Sequence, residues 1–89
     1  MISFNSHQNF IKIEIFPNPA KENFVINVLD YNAEKMHLEL FNLTGKRILI
    51  QRLFEGSNGI ELGSVSSGVF VVKIFEQGRL VKSEKLIRL

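Results

Sequence analysis

The chain is 89 residues long and 45% hydrophobic, with eight phenylalanines and no cysteine. That length holds one domain near the small end of what folds alone, hiding roughly 60% of its unfolded surface, and the missing thiols exclude a disulfide framework or a thiolate metal site. Eleven basic against nine acidic residues leave a formal charge of +2, too small to point to nucleic acid as a partner.

Residues 1–10 are mostly polar and read as a linker or arm. Met1-Ile2-Ser3-Phe4 carries no basic n-region, and no stretch approaches the roughly 18 apolar residues of a membrane helix. The expectation is a soluble module carried by a longer protein. Ile11-Lys12-Ile13-Glu14-Ile15-Phe16 alternates with its three isoleucines on one face, the pattern of a half-buried strand. Pro17-Asn18-Pro19 ends it. Each proline fixes its own φ, biases the preceding residue against helix and has no N–H for a ladder, which predicts a rigid bend at a sheet edge or corner.

A second strand, Asn23 to Val28, points Phe24, Ile26 and Val28 inward, and a polar connection follows from Asp30 to Lys35. The third, Met36 to Phe41, buries Met36, Leu38 and Leu40. Asn42-Leu43-Thr44-Gly45-Lys46 is a turn in which Gly45 takes a positive φ. Residues 47–54 form a fourth strand with weaker alternation. Glu55-Gly56-Ser57-Asn58-Gly59 reads as a loop marked by its Asn-Gly pair, and Ile60-Glu61-Leu62 as a short fifth strand. Val65, in the corner from Gly63 to Gly68, is expected to plug the core.

The last quarter of the chain is a hairpin. Its first arm, ending at Glu76, is apolar on both faces up to Val72 and so belongs in the middle of a sheet. A tight turn falls at Gln77-Gly78, and the second arm sets Lys82, Lys85 and Arg88 among Leu80, Val81, Leu86, Ile87 and Leu89. Seven short strands with no helical repeat predict an all-β fold, a seven-stranded Ig-like antiparallel β-sandwich.

Catalytic chemistry has little to work with. Ser64, Ser66 and Ser67 lack the Gly-x-Ser-x-Gly spacing and its strand-turn-helix setting. His7 lies in the arm, and His37 sits opposite Leu38's face and reads as solvent-facing. Two histidines with scattered carboxylates match no metal-ligand spacing, so no metal or cofactor is expected. Glu14, Glu39 and Glu61 alternate with apolar residues and read as charges on outer faces. Asn42-Leu43-Thr44 fits the glycosylation pattern but falls on a turn. Lys46-Arg47 and the Lys82, Lys85, Arg88 set leave two readings open: charges that keep edge strands from pairing, or a docking element.

Ile13 to Ala20 with its Pro-Asn-Pro bend, Leu40 to Ile48 with its Gly-Lys turn, Ile60-Glu61-Leu62, the Ser67-Gly68-Val69-Phe70-Val71-Val72-Lys73-Ile74 block and terminal Lys85-Leu86-Ile87-Arg88 occur in order. Together they resemble the type A C-terminal sorting domain of the type IX (Por) secretion system of Bacteroidota. The likeness runs from about Ile11 to Leu89. It departs at Phe70, where tyrosine is common, which removes a hydroxyl.

The resemblance implies an address label and no enzyme. Residues 11–89 would be the sorting domain, and residues 1–10 a linker to an upstream cargo domain in cis. Gly68, Lys73, Gly78, Lys82, Lys85, Leu86, Ile87 and Arg88 match the signal-bearing region that docks on translocon or shuttle proteins. Pro17, Asn18, Pro19, Gly45 and Lys46 match the structural motifs. The implied route runs through the periplasm to the outer membrane, cell surface or extracellular space. A surface sortase-like protease would then cut within residues 1–10. A weak homodimer by edge-strand pairing is a further expectation. The alternative is a generic adhesion or carbohydrate-binding sandwich, with Phe16, Phe41 and Tyr31 as its exposed aromatics.

Overall fold

A computed structural model describes residues 12–29 and 35–89. Its strands are β1 (Lys12–Phe16), β2 (Asn23–Leu29), β3 (Met36–Asn42), β4 (Arg47–Leu53), β5 (Gly56–Glu61), β6 (Gly68–Glu76) and β7 (Arg79–Arg88). They form a three-stranded sheet, β1-β2-β5, and a four-stranded sheet, β4-β3-β6-β7. Every pair within these sheets is antiparallel. The chain is the expected seven-stranded Ig-like sandwich, and β6 lies centrally, between β3 and β7. Ile11 and the connection through Tyr31 lie outside the described residues.

Period-two alternation decides which side chains meet between the sheets. Phe24, Ile26 and Val28 of β2 face Leu38 and Leu40 of β3 and Val72 and Ile74 of β6, all fully buried. Ile13 and Ile15 pack against this cluster from the edge strand β1. Val65 is buried, as its apolar side chain in a polar corner predicts. Burying each such side chain favours folding by roughly 1.5–3 kcal/mol. In the β3–β4 turn, Gly45 has φ +90°, and Asn42 Oδ1 accepts from Thr44 N, Thr44 Oγ1 and Lys46 N at 3.0, 2.7 and 2.9 Å.

The expected loop over residues 55–59 is corrected: residues 56–59 belong to β5, which starts at Gly56 and pairs with β2 from Val28↔Gly56 to Asn23↔Glu61. The cause is Asn58, which is 7% exposed. Its Oδ1 accepts from Phe54 N at 2.8 Å, and its Nδ2 donates to Phe54 O, Ile26 O and Gly56 O at 2.8, 3.1 and 3.2 Å. The Asn-Gly pair is therefore not a turn tip. Asn58 lies in a strand and holds the crossover from one sheet to the other with its side-chain amide.

Replacing Asn58 by alanine removes the amide that binds Phe54 N and the carbonyls of Phe54, Gly56 and Ile26. The expected loss is about 2–3 kcal/mol of unfolding free energy. Urea titration measures it, and an unchanged midpoint would refute this account of the crossover.

Candidate recognition site on the terminal hairpin

The β6–β7 hairpin closes through a two-residue loop, Gln77-Gly78, flanked by the Glu76↔Arg79 pair. Both loop residues have positive φ, 52° and 83°, which is the turn geometry whose twist matches paired strands. Glycine tolerates that conformation without a Cβ penalty, which is why the sequence signal was clear. The second arm then runs as the outer strand of its sheet.

An edge strand normally shows a row of unpaired main-chain groups. The last residues of β7 do not. Asn18 Nδ2 donates to Lys85 O at 2.7 Å, and Asn18 Oδ1 accepts from Ile87 N at 3.0 Å. Ala20 N donates to Ile87 O, and Ala20 O accepts from Leu89 N, each at 2.8 Å. Ala20 is fully buried and forms an isolated parallel bridge with Arg88. The bend after β1 thus acts as a clasp along the end of β7. Asn18 supplies a donor and an acceptor as a peptide unit would, between prolines that have no N–H to offer. Both peptide bonds preceding those prolines are cis.

The signal-matching residues divide by strand parity. Leu86 is fully buried in the core. Arg88 Nη2 donates to Leu62 O at 3.3 Å and Nη1 to Leu89 O at 2.6 Å, while Nε is buried with no hydrogen-bond partner. Lys85 and Ile87 stand on the other face, opposite Val71 and Val69. Lys82 Nζ lies 3.9 Å from Glu84 Oε1. Lys73, on β6, places its ammonium 5.1 Å from the centre of the Phe41 ring. Gly68 pairs with Arg88 at one end of the hairpin, and Gly78 sits at the other, roughly 30 Å away at the rise of a strand. Gly45 and Lys46 occupy the β3–β4 turn, between the two strands of the four-stranded sheet farthest from β7.

Other readings meet the same geometry. His37 is on the outer face as expected, yet it is engaged there: Nε2 is 2.8 Å from Glu39 Oε2, and the ring stacks on Phe75 at 5.0 Å. His7 lies outside the described residues. Phe16 is carried by the three-stranded sheet and Phe41 by the outer face of the four-stranded sheet, beneath Lys73, so the two do not share an aromatic platform. Tyr31 lies outside the described residues.

Fold and site together define an Ig-like sandwich module that presents its terminal hairpin at a clasped sheet edge. Residues 14–88 match the family described as the secretion system C-terminal sorting domain, and the chain belongs to that family. The family is a non-catalytic sorting signal for type IX secretion. Ulvan lyase NLR42 of Nonlabens ulvanivorans is 28% identical over 81 residues, which are 90% of this chain and 15% of that protein. The chain therefore spans a small part of that relative's length. Membership of this family implies interaction with the type IX machinery and export across the outer membrane.

Asn18 was legible only as part of a bend; its role depends on main-chain partners 67 and 69 positions away. Substituting Asn18 with alanine is expected to speed amide exchange at Ile87 about tenfold, the loss of roughly one to one and a half kcal/mol of local hydrogen bonding. The amides of β3 should be unaffected. Equal acceleration at Ile87 and throughout β3 would show general destabilisation and no clasp.

Proposed function

We propose that this domain carries an upstream cargo through the periplasm and across the outer membrane by presenting the β6–β7 hairpin to a translocon or shuttle protein. The observation that carries the reading is the placement of the signal-matching residues. Lys82, Lys85 and Ile87 lie along one strand at a sheet edge, and Leu86 between them locks that strand to the core. On this reading residues 1–10 join the sandwich to its cargo, residues 11–89 form the signal, and a surface sortase-like protease separates the two within residues 1–10.

Self-association by edge pairing would use only part of β7. The clasp occupies main-chain groups of Lys85, Ile87 and Leu89, which leaves the half nearer the turn, Arg79 to Ser83, for a second copy. Sedimentation velocity over a wide concentration range is expected to show weak dimerisation that a Ser83→Pro variant abolishes, since proline removes a ladder donor. A single monomer boundary at every concentration would dismiss the homodimer.

Deleting the last residues is a poor test of signalling because it also removes Leu86, a core loss of roughly 2–5 kcal/mol. Substitution of Lys82 and Lys85 by serine avoids this, as neither belongs to the buried core. The whole chain is placed behind a signal peptide and a fluorescent reporter in a host with the type IX system. The parent is expected to send the reporter to the surface or medium, and the Lys82→Ser/Lys85→Ser variant about tenfold less, at an unchanged unfolding midpoint. Undiminished export of the variant would remove the hairpin cations from the signal.

A further inference from the structure

We propose that the outer face of the four-stranded sheet is a docking surface for a partner protein whose own surface is apolar at the centre and acidic at the rim. This rests on the reading that the domain is a signal read by a protein of the secretion machinery, and it adds the face and the chemistry of that contact.

Strands of a two-layer sandwich normally point apolar residues inward and polar ones outward. The central strand β6 departs from this. Phe70, Val72 and Ile74 are in the core, while Val69, Val71, Lys73 and Phe75 face out. Its neighbours extend the apolar surface: Phe41 is opposite Val71 on β3, and Ile87 is opposite Val69 on β7. All seven strands are used in the two sheets, so among the described residues no strand covers this face. Contiguous apolar surface of this kind marks sites of association.

Charge selects the occupant. One row across the sheet reads Arg47, Phe41, Val71, Lys85, with cations at both ends. Three strand spacings separate those ends, roughly 14 Å. Lys73 is directly opposite Glu39, yet its ammonium lies over the Phe41 ring. Glu39 is already committed, at 2.8 Å to His37 and 3.7 Å to Arg47. Among the described residues, neither Lys73 nor Lys85 has an acid within salt-bridge distance. A second copy would set cation against cation, which disfavours self-pairing through this face. The outward apolar side chains of β6 are half-buried between neighbouring strands, so none projects as a wedge into lipid. An acid-rimmed protein surface with an apolar centre satisfies both the apolar side chains and the ammonium groups that have no acid beside them.

The test again uses the whole chain behind a signal peptide and reporter. Val71→Glu/Lys73→Glu reverses the centre of the face. Val25→Glu/Lys12→Glu makes the same change in charge on the three-stranded sheet, at one half-buried and one exposed position. The first pair is expected to lower export about tenfold, and the second to leave it within about twofold, both proteins unfolding cooperatively. Lys73→Glu alone leaves every apolar residue in place and is expected to lower export about threefold; it decides the matter if the double variant does not fold. Equal export for the two pairs overturns the docking face and leaves the signal reading standing. A parent reporter that stays in the periplasm overturns the signal reading itself. Phosphatidylglycerol vesicles are the probe for the other occupant: co-sedimentation of the parent, lost in Val71→Glu/Lys73→Glu, would replace the protein partner by a lipid surface, and no co-sedimentation is expected.

Discussion

A sandwich of two sheets must satisfy main-chain groups wherever the chain leaves one sheet for the other, because buried N–H and C=O groups without partners are costly. Here two asparagine amides meet the need for partners, one where the chain crosses between sheets and one where the bend between β1 and β2 of one sheet runs along the edge of the other. Asn58 holds the passage from β4 to β5, binding both main-chain groups of Phe54. Asn18 holds the bend after β1 against β7. A side-chain amide offers the donor and acceptor of a peptide unit without extending a strand, so it can close a sheet edge without offering a new one. The core packs between these closures, and the register of the terminal strand depends on the second.

Most of the fold was legible because alternation survives in most of the strands. β2 and β3 place their core residues two apart, and each faces the core as that spacing dictates, while β6, apolar on both faces, was legible as a central strand. β5 was hidden by a conflict of signals. Its inward positions are Asn58 and Ile60, continued by Leu62, so the period of two is present but begins on a polar residue. Beside Gly59, that asparagine carries the local signature of a turn. Tertiary hydrogen bonding to Ile26 and Phe54 outweighs the local preference.

The site was legible as a stretch but not as a surface. Lys85, Leu86, Ile87 and Arg88 form one run in the chain, yet a strand sends neighbours to opposite faces. Leu86 and Arg88 turn inward, toward the core and Leu62 O, while Lys85 and Ile87 turn outward. Parity alone would have divided the set. The clasp could not be read locally, since the positions it joins stand near opposite ends of the chain. The cationic, apolar character of the outer face has the same origin: Arg47, Phe41, Val71 and Lys85 come from different strands and become a row only through sheet register.

This division has a consequence for how a folded label can work. The inward residues of β7 tie the strand to the core, and the clasp ties it to the segment between β1 and β2. The outward residues are aligned with those of β6 only when that register holds. In an unfolded chain the same residues exist, but Arg47 and Lys85 no longer bracket an apolar row at fixed spacing. A partner that recognises the face therefore recognises folding as well, because the energy of a spaced set of contacts is lost when their relative positions are free. The inward side chains contribute to recognition without touching a partner, by holding the outward ones in place.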